Sequence, residues 1–228
     1  MTPENRIREL DAARGICVLG MILVHLIYDL TELYPVLHWT YPSFFLLLKN
    51  WGGVAFFLIS GICVTLGQRH LRRGAIVLGC GILISAVTIL ADAMPIRFGV
   101  LHCLGLCMIL WHVFRSVSAM KLMIFGIASV VLGLIFKNLS VTTVYLYPLG
   151  LTAPSFESAD FFPLLPYLGF FLLGAFCGKT LYKNKKSLFP NFPKLSFLCF
   201  CGRHALFFYL AHQPVLIFFI ETALASYP

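Results

Sequence analysis

The sequence predicts an all-α, polytopic membrane helix bundle of about seven transmembrane helices with a cytoplasmic amino terminus. Three observations carry that expectation. The 228 residues are 60% hydrophobic and only 11% charged, with a mean hydropathy of +0.90; a soluble domain is about 45–50% apolar and about 25% charged. The apolar residues gather in runs of about twenty, enough to cross a hydrocarbon core at about 1.5 Å per residue. The basic residues, finally, fall on alternate sides of those runs in a one-sided way.

The first run, 11–30, opens Asp11-Ala-Ala-Arg14-Gly15 and carries His25 and Asp29 within an otherwise apolar stretch. Further spans are predicted at 43–66, 74–92, 98–115, 119–136, 161–182 and 204–225. The segment Val141–Leu151 is apolar but short and ends in Pro148 and Gly150, which suits a re-entrant or surface segment. Residues 137–160 and the lysine-rich 183–203 are expected to be the longer loops. No internal repeat or low-complexity tract interrupts the pattern, so residues 1–228 read as a single domain. Basic residues precede the first run but no small-residue cleavage site follows it, so it is expected to stay as a span.

With the amino terminus inside, all of the 17 lysines and arginines except Lys49, Arg97 and Lys137 fall on the inner side. Seven spans then leave the carboxyl terminus and the loop holding Glu157 and Asp160 outside. The net charge of +8 is thus a membrane-edge feature, and nucleic acid is not an expected partner. Eight cysteines lie mostly in apolar runs with no CxxC pair, the setting of small buried hydrophobes; no metal site is expected.

Ionisable groups inside a membrane segment are expensive and therefore point to function. Arg14 and His25 are eleven helical steps apart, about 16 Å, which sets Arg14 at the inner rim and His25 near the midplane. Asp29 follows at i+4, where a carboxylate is able to orient an imidazole base; the bland alternative is a polar cluster that only ties helices together. Arg69, Arg72 and Arg73 sit within Gln68–Arg73. They fit plain topology, lipid headgroups, or the phosphates of a cytoplasmic cofactor. His102 opens the fourth span and Asp160 the sixth, both at the outer face. In the last span His212 lies about 12 Å beyond His204, and Pro214 frees the carbonyl near residue 210.

Taken together, Asp11–Gly15 with Met21, His25 and Asp29, FGVLHCLG (98–105), DFFPLLPYLG (160–169) and GRHALFFYLAHQPV (202–215) resemble the bacterial membrane family related to heparan-alpha-glucosaminide N-acetyltransferase. The Arg14–His25 spacing and the Arg69/Arg72 pair are also similar to acyltransferase family 3. The resemblance implies a bacterial inner-membrane enzyme that takes an acyl group, as acetyl, from cytoplasmic acetyl-CoA or another acyl-CoA. The acceptor it implies is an amine or hydroxyl of a sugar-like, cell-envelope molecule at or across the bilayer. It implies His25 as the catalytic histidine, with Arg14, Arg69 and Arg72 facing the acyl-CoA. The mechanism expected from the residues themselves has Asp29 orienting His25, His102 and Asp160 binding a polar acceptor from the outer side, and His212 supporting the thioester or its oxyanion. The lysosomal members carry asparagine where this chain has His25, with the active histidine toward His38, so His38 stands as a second candidate. A homo-oligomer is compatible with this reading. The rival class is a small proton-coupled transporter or flippase using the buried histidines and carboxylates, and a non-catalytic membrane subunit is a third. Matching broken helices in two inverted halves favour a transporter; Pro163, Pro166 and Pro214 have no counterparts in the first half.

Overall fold

The computed structural model describes residues 7–143 and 145–226; Arg6, counted above among the inward basic residues, and Val144 of the 141–151 segment lie outside the described residues. The regular elements among them are helical: α1 (Arg8–Tyr28), α2 (Ser43–Leu66), α3 (His70–Leu90), α4 (Val100–Phe114), α5 (Ala119–Phe136), α6 (Leu164–Thr180), α7 (Ser196–Arg203) and α8 (Ala205–Ser226). Phe98–Phe161 and Ser140–Thr152 form isolated bridges, not strands. In the 141–151 segment the described residues include one 3-10 turn, Tyr147–Leu149.

Among the described residues, five helices are long and apolar enough to cross a membrane, α1 with its extension to Leu33, α2, α3, α5 and α8. The runs predicted at 98–115 and 161–182 give shorter apolar helices of 15 and 17 residues. Local chemistry trims both. Gly99 is extended (φ −82°, ψ −176°), and the Asp160 carboxylate accepts the Val100 N–H at 3.0 Å, starting α4 there. Leu165, just before Pro166, is pushed to φ −103°, ψ 123°, because the proline ring disfavours helical backbone at the preceding residue. Two further boundaries differ from expectation. Helix α3 begins at His70, so Arg72 and Arg73 are helical rather than in a loop. The predicted loop 183–203 contains α7, too short for a hydropathy run to reveal.

The described residues form two compact units, one of Phe57–Leu188 and one of residues 7–56 with 189–226. In the first, α3 packs on α4, and α5 and α4 pack on α6. These contacts are backbone-close because glycines face them. A Cβ at Gly105 would stand 2.6 Å from the Leu78 nitrogen, and one at Gly169 would stand 2.6 Å from the Gly126 carbonyl. Apolar helices gain little from hydrophobic burial against each other in lipid, so such close contact and its dispersion energy supply the association. Phe57, Leu122, Phe171 and Leu172 fill the interior.

In the second unit α1 packs on α7 and α8. Gly15 and Gly202 meet at the α1–α7 crossing: a Cβ on Gly202 would overlap the Asp11 carbonyl, and one on Gly15 the Leu198 carbonyl. The face α7 buries carries Cys199, Cys201 and Gly202, and the Cys199 thiol donates to the Arg8 carbonyl at 3.5 Å. None of the eight cysteines is in a disulfide. Those that are buried pack as small apolar groups.

Candidate active site

Helix α1 brings its polar residues to two levels. At its start Arg14 pairs with Asp11 one turn back. At its end His25 stands one turn before Asp29, where the α-helix gives way to a π-helical turn, Asp29–Leu33, closed by the Tyr34 N–H on the Asp29 carbonyl at 2.8 Å. Such widened turns recur at functional sites.

The expected His25–Asp29 hydrogen bond is not made. His25 Nδ1 lies 2.9 Å from the Met21 carbonyl. A carbonyl only accepts, so Nδ1 carries the proton and Nε2 presents its lone pair. The backbone, not a carboxylate, orients this imidazole. Asp29, 1% exposed, instead accepts from the Gln213 amide nitrogen, which lies 2.9 and 3.0 Å from its two carboxylate oxygens. The i+4 spacing brought the two side chains to one face, but a partner from α8 claimed the carboxylate.

Helix α8 also supplies His212. Its ring meets that of His25 edge to face, with centroids 4.8 Å apart and planes at 70°. His212 Nδ1 donates to the Tyr209 carbonyl at 2.6 Å, which fixes the same tautomer as in His25 and leaves Nε2 as an acceptor. Pro214 does not break α8, which runs through it. Among the described residues, three buried side-chain atoms have no hydrogen-bond partner: Arg14 Nε, His212 Nε2 and Gln213 Oε1. All three belong to this unit. Buried polar atoms are nearly always paired; the two on α8 belong to His212, which meets His25, and to its neighbour Gln213, while Arg14 lies toward the other end of α1.

Beyond Leu33 the Tyr34 hydroxyl donates to Glu221 on α8 at 2.8 Å, and this bond to a carboxylate raises the phenol above its ordinary range. His38 is exposed in the irregular linker between α1 and α2.

The remaining sequence candidates lie in the unit Phe57–Leu188. His102 is buried and fully engaged. Its Nδ1 accepts the Gly99 N–H at 3.3 Å, which leaves Nε2–H to donate to Ser85 Oγ at 3.3 Å; Ser85 in turn donates to the Ile96 carbonyl. Together with Asp160 it holds the amino end of α4. Arg69 adopts left-handed backbone (φ 62°) just ahead of α3, and Arg72 is an exposed residue of its first turn. The structure separates the pair: Arg69 lines a cavity and Arg72 does not. Sequence reasoning singled out neither Gln213 nor Lys179. The signal for Gln213 was only its place after His212; for Lys179 it was a cation in the last turn of an apolar helix.

An all-helical body with spans of this length and apolarity, holding an imidazole pair and a buried carboxylate inside one unit, defines an integral membrane protein with an internal polar site. The chain belongs to the heparan-alpha-glucosaminide N-acetyltransferase family: the model of that family's catalytic domain matches residues 6–214. Membership carries transferase activity with it and gives the transporter alternative no support. Neither a curated protein nor a solved structure matches the chain significantly.

One prediction follows from the Asp29 clamp. Gln213→Leu leaves a buried carboxylate without its amide donor and lowers stability by about 2–3 kcal/mol. Thermal unfolding in detergent reads this directly, and Gln213→Asn, too short to reach both oxygens, is expected to fall between leucine and the parent.

Proposed function

We propose that the chain is an acetyl-CoA-dependent N-acetyltransferase of the bacterial cytoplasmic membrane, with His25 as general base and an amino sugar or similar cell-envelope amine as acceptor. The observation that carries this reading is the His25–His212 pair, each Nδ1–H tied to a backbone carbonyl, which leaves both Nε2 atoms as acceptors. An acceptor amine donates a hydrogen bond to His25 Nε2 and its nitrogen attacks the thioester carbonyl. As the C–N bond forms, the proton passes to His25; as the C–S bond breaks, His25 returns it to the departing CoA sulfur. Asp29, one turn along α1, supplies negative charge near the imidazolium formed in between. His212 Nε2 and Gln213 Oε1, both unpartnered, accept hydrogen bonds from ligand N–H or O–H groups. In this tautomer His212 supports the ligand as an acceptor and has no Nε2 proton for an oxyanion. Arg14, Arg69 and Arg72 are the cations proposed for the anionic donor, with the amino terminus on the cytoplasmic side as the basic-residue asymmetry argues. His38, exposed on its linker, is assigned no part in proton transfer.

The test is release of free thiol from acetyl-CoA by purified protein, with and without amino acceptors. Release that depends on glucosamine but not on N-acetylglucosamine supports the proposal. Absence of release, together with pH-gradient-driven uptake in proteoliposomes lacking CoA, would overturn it in favour of transport.

A further inference from the structure

Within the unit Phe57–Leu188 the carboxyl ends of α2, α4 and α6 and the start of α3 surround a cavity of about 600 Å³. This is within the range of pockets that take a compact organic ligand, roughly 300–1,000 Å³. Its floor is apolar, with Val64, Leu66 and Gly178 beside the buried rings of Trp111 and Tyr182. Its walls hold Arg69, Arg115, Lys179, Lys183 and Lys185, and among the described residues no aspartate or glutamate lines it.

Helix carboxyl ends attract cations for structural reasons, because their last carbonyls lack partners. Lys179 meets that need: its ammonium donates to the Arg115 and Val117 carbonyls at 2.7 and 2.6 Å, with the Trp111 ring centroid 5.5 Å away. The other four are surplus. No side-chain hydrogen bond or ion pair joins Arg69, Arg115, Lys183 or Lys185 to a described residue. Four unpaired cations around an apolar floor suit a ligand that joins several phosphates to a flat, apolar-faced ring.

We propose that this cavity holds the phosphorylated nucleotide end of the acyl donor, its 3′-phosphate and diphosphate against Arg69, Arg115, Lys183 and Lys185 and its adenine on the floor. The proposal rests on the acetyl-CoA reading above and narrows it. Arg69 is retained from the sequence pair, Arg72 is replaced, and three cations are added. A 3′-phosphomonoester brings about −1.5 to −2 charges and the diphosphate about two more, which matches the four cations.

The experiment measures binding of 3′-phosphoadenosine 5′-diphosphate and of CoA to the full chain in detergent by calorimetry. The variants are Arg115→Gln with Lys185→Gln, and Lys186→Gln as a control on the same exposed loop outside the cavity. These side chains are exposed, so the fold tolerates the changes. We expect the double variant to bind both ligands at least about tenfold more weakly. KM for acetyl-CoA should rise correspondingly while kcat stays within about twofold, and Lys186→Gln should match the parent. Equal binding by parent and double variant, with acetyl transfer intact, would overturn the cavity assignment and leave the acetyl-CoA reading standing. Loss of phosphatidylglycerol binding in nanodiscs, with nucleotide binding unchanged, would make this a lipid site and overturn it as well. No binding of CoA and no transfer by the parent would sink both readings together.

Discussion

Replacing His25 with alanine is expected to lower acetyl transfer by about 10²–10⁴-fold, the usual contribution of a positioned general base. The residue is half-buried and its one hydrogen bond is to the Met21 carbonyl four residues back. Truncation therefore removes a base without stranding any other side chain, and stability should change by less than about 1 kcal/mol. His212→Ala should cost less in kcat, because it removes a ligand-facing acceptor rather than the base, and should show mainly in KM. His38→Ala should stay within about threefold of the parent, since His38 sits exposed on its linker. The measurement is acceptor-dependent thiol release alongside a thermal unfolding curve for each variant. A His25→Ala protein that folds and transfers at the parental rate removes His25 from the chemistry. A large loss confined to His38→Ala would move the base to the linker.

The second large effect is structural. A Cβ at Gly202 would overlap the Asp11 carbonyl, a backbone atom that cannot rotate away. Gly202→Ala is therefore expected to force α1 and α7 apart and to lower stability by about 1–3 kcal/mol; Gly202→Leu should prevent accumulation of folded protein. Gly79→Ala makes the contrast, because nothing lies within 4 Å of its Cβ position. There the helix loses a flexible residue at no steric cost, and stability should hold or rise by up to about 1 kcal/mol. Thermal unfolding in one detergent ranks the set. Indistinguishable curves for Gly202→Ala and Gly79→Ala would refute the close α1–α7 crossing.

Much of this fold was legible in the chain because hydropathy is a local property. The spans predicted at 43–66 and 119–136 coincide with α2 and α5, where apolar runs end abruptly at polar or turn-forming residues. The runs at 98–115 and 161–182 were legible as apolar but not as short. Their ends depend on an aspartate sixty residues away capping α4 and on the backbone restriction before Pro166. The site divides in the same way. His25 and His212 stood out as costly groups in apolar helices, yet their 4.8 Å ring contact joins residues from opposite ends of the chain. Asp29 was read as the partner of His25 because i+4 neighbours share a face. That spacing says which groups are near, but not which hydrogen bond forms.

What the sequence alone determined is the membrane class, the approximate helices and the identity of the costly polar residues, all set by interactions within a few residues along the chain. The tertiary structure alone decided the partners: Gln213 on Asp29, His212 against His25, and Arg69 rather than Arg72 beside Arg115, Lys183 and Lys185. The physical reason is that a desolvated polar group bonds to whichever donor or acceptor helix packing brings within about 3 Å. That packing is fixed by glycine-to-backbone contacts such as Gly15 with Gly202.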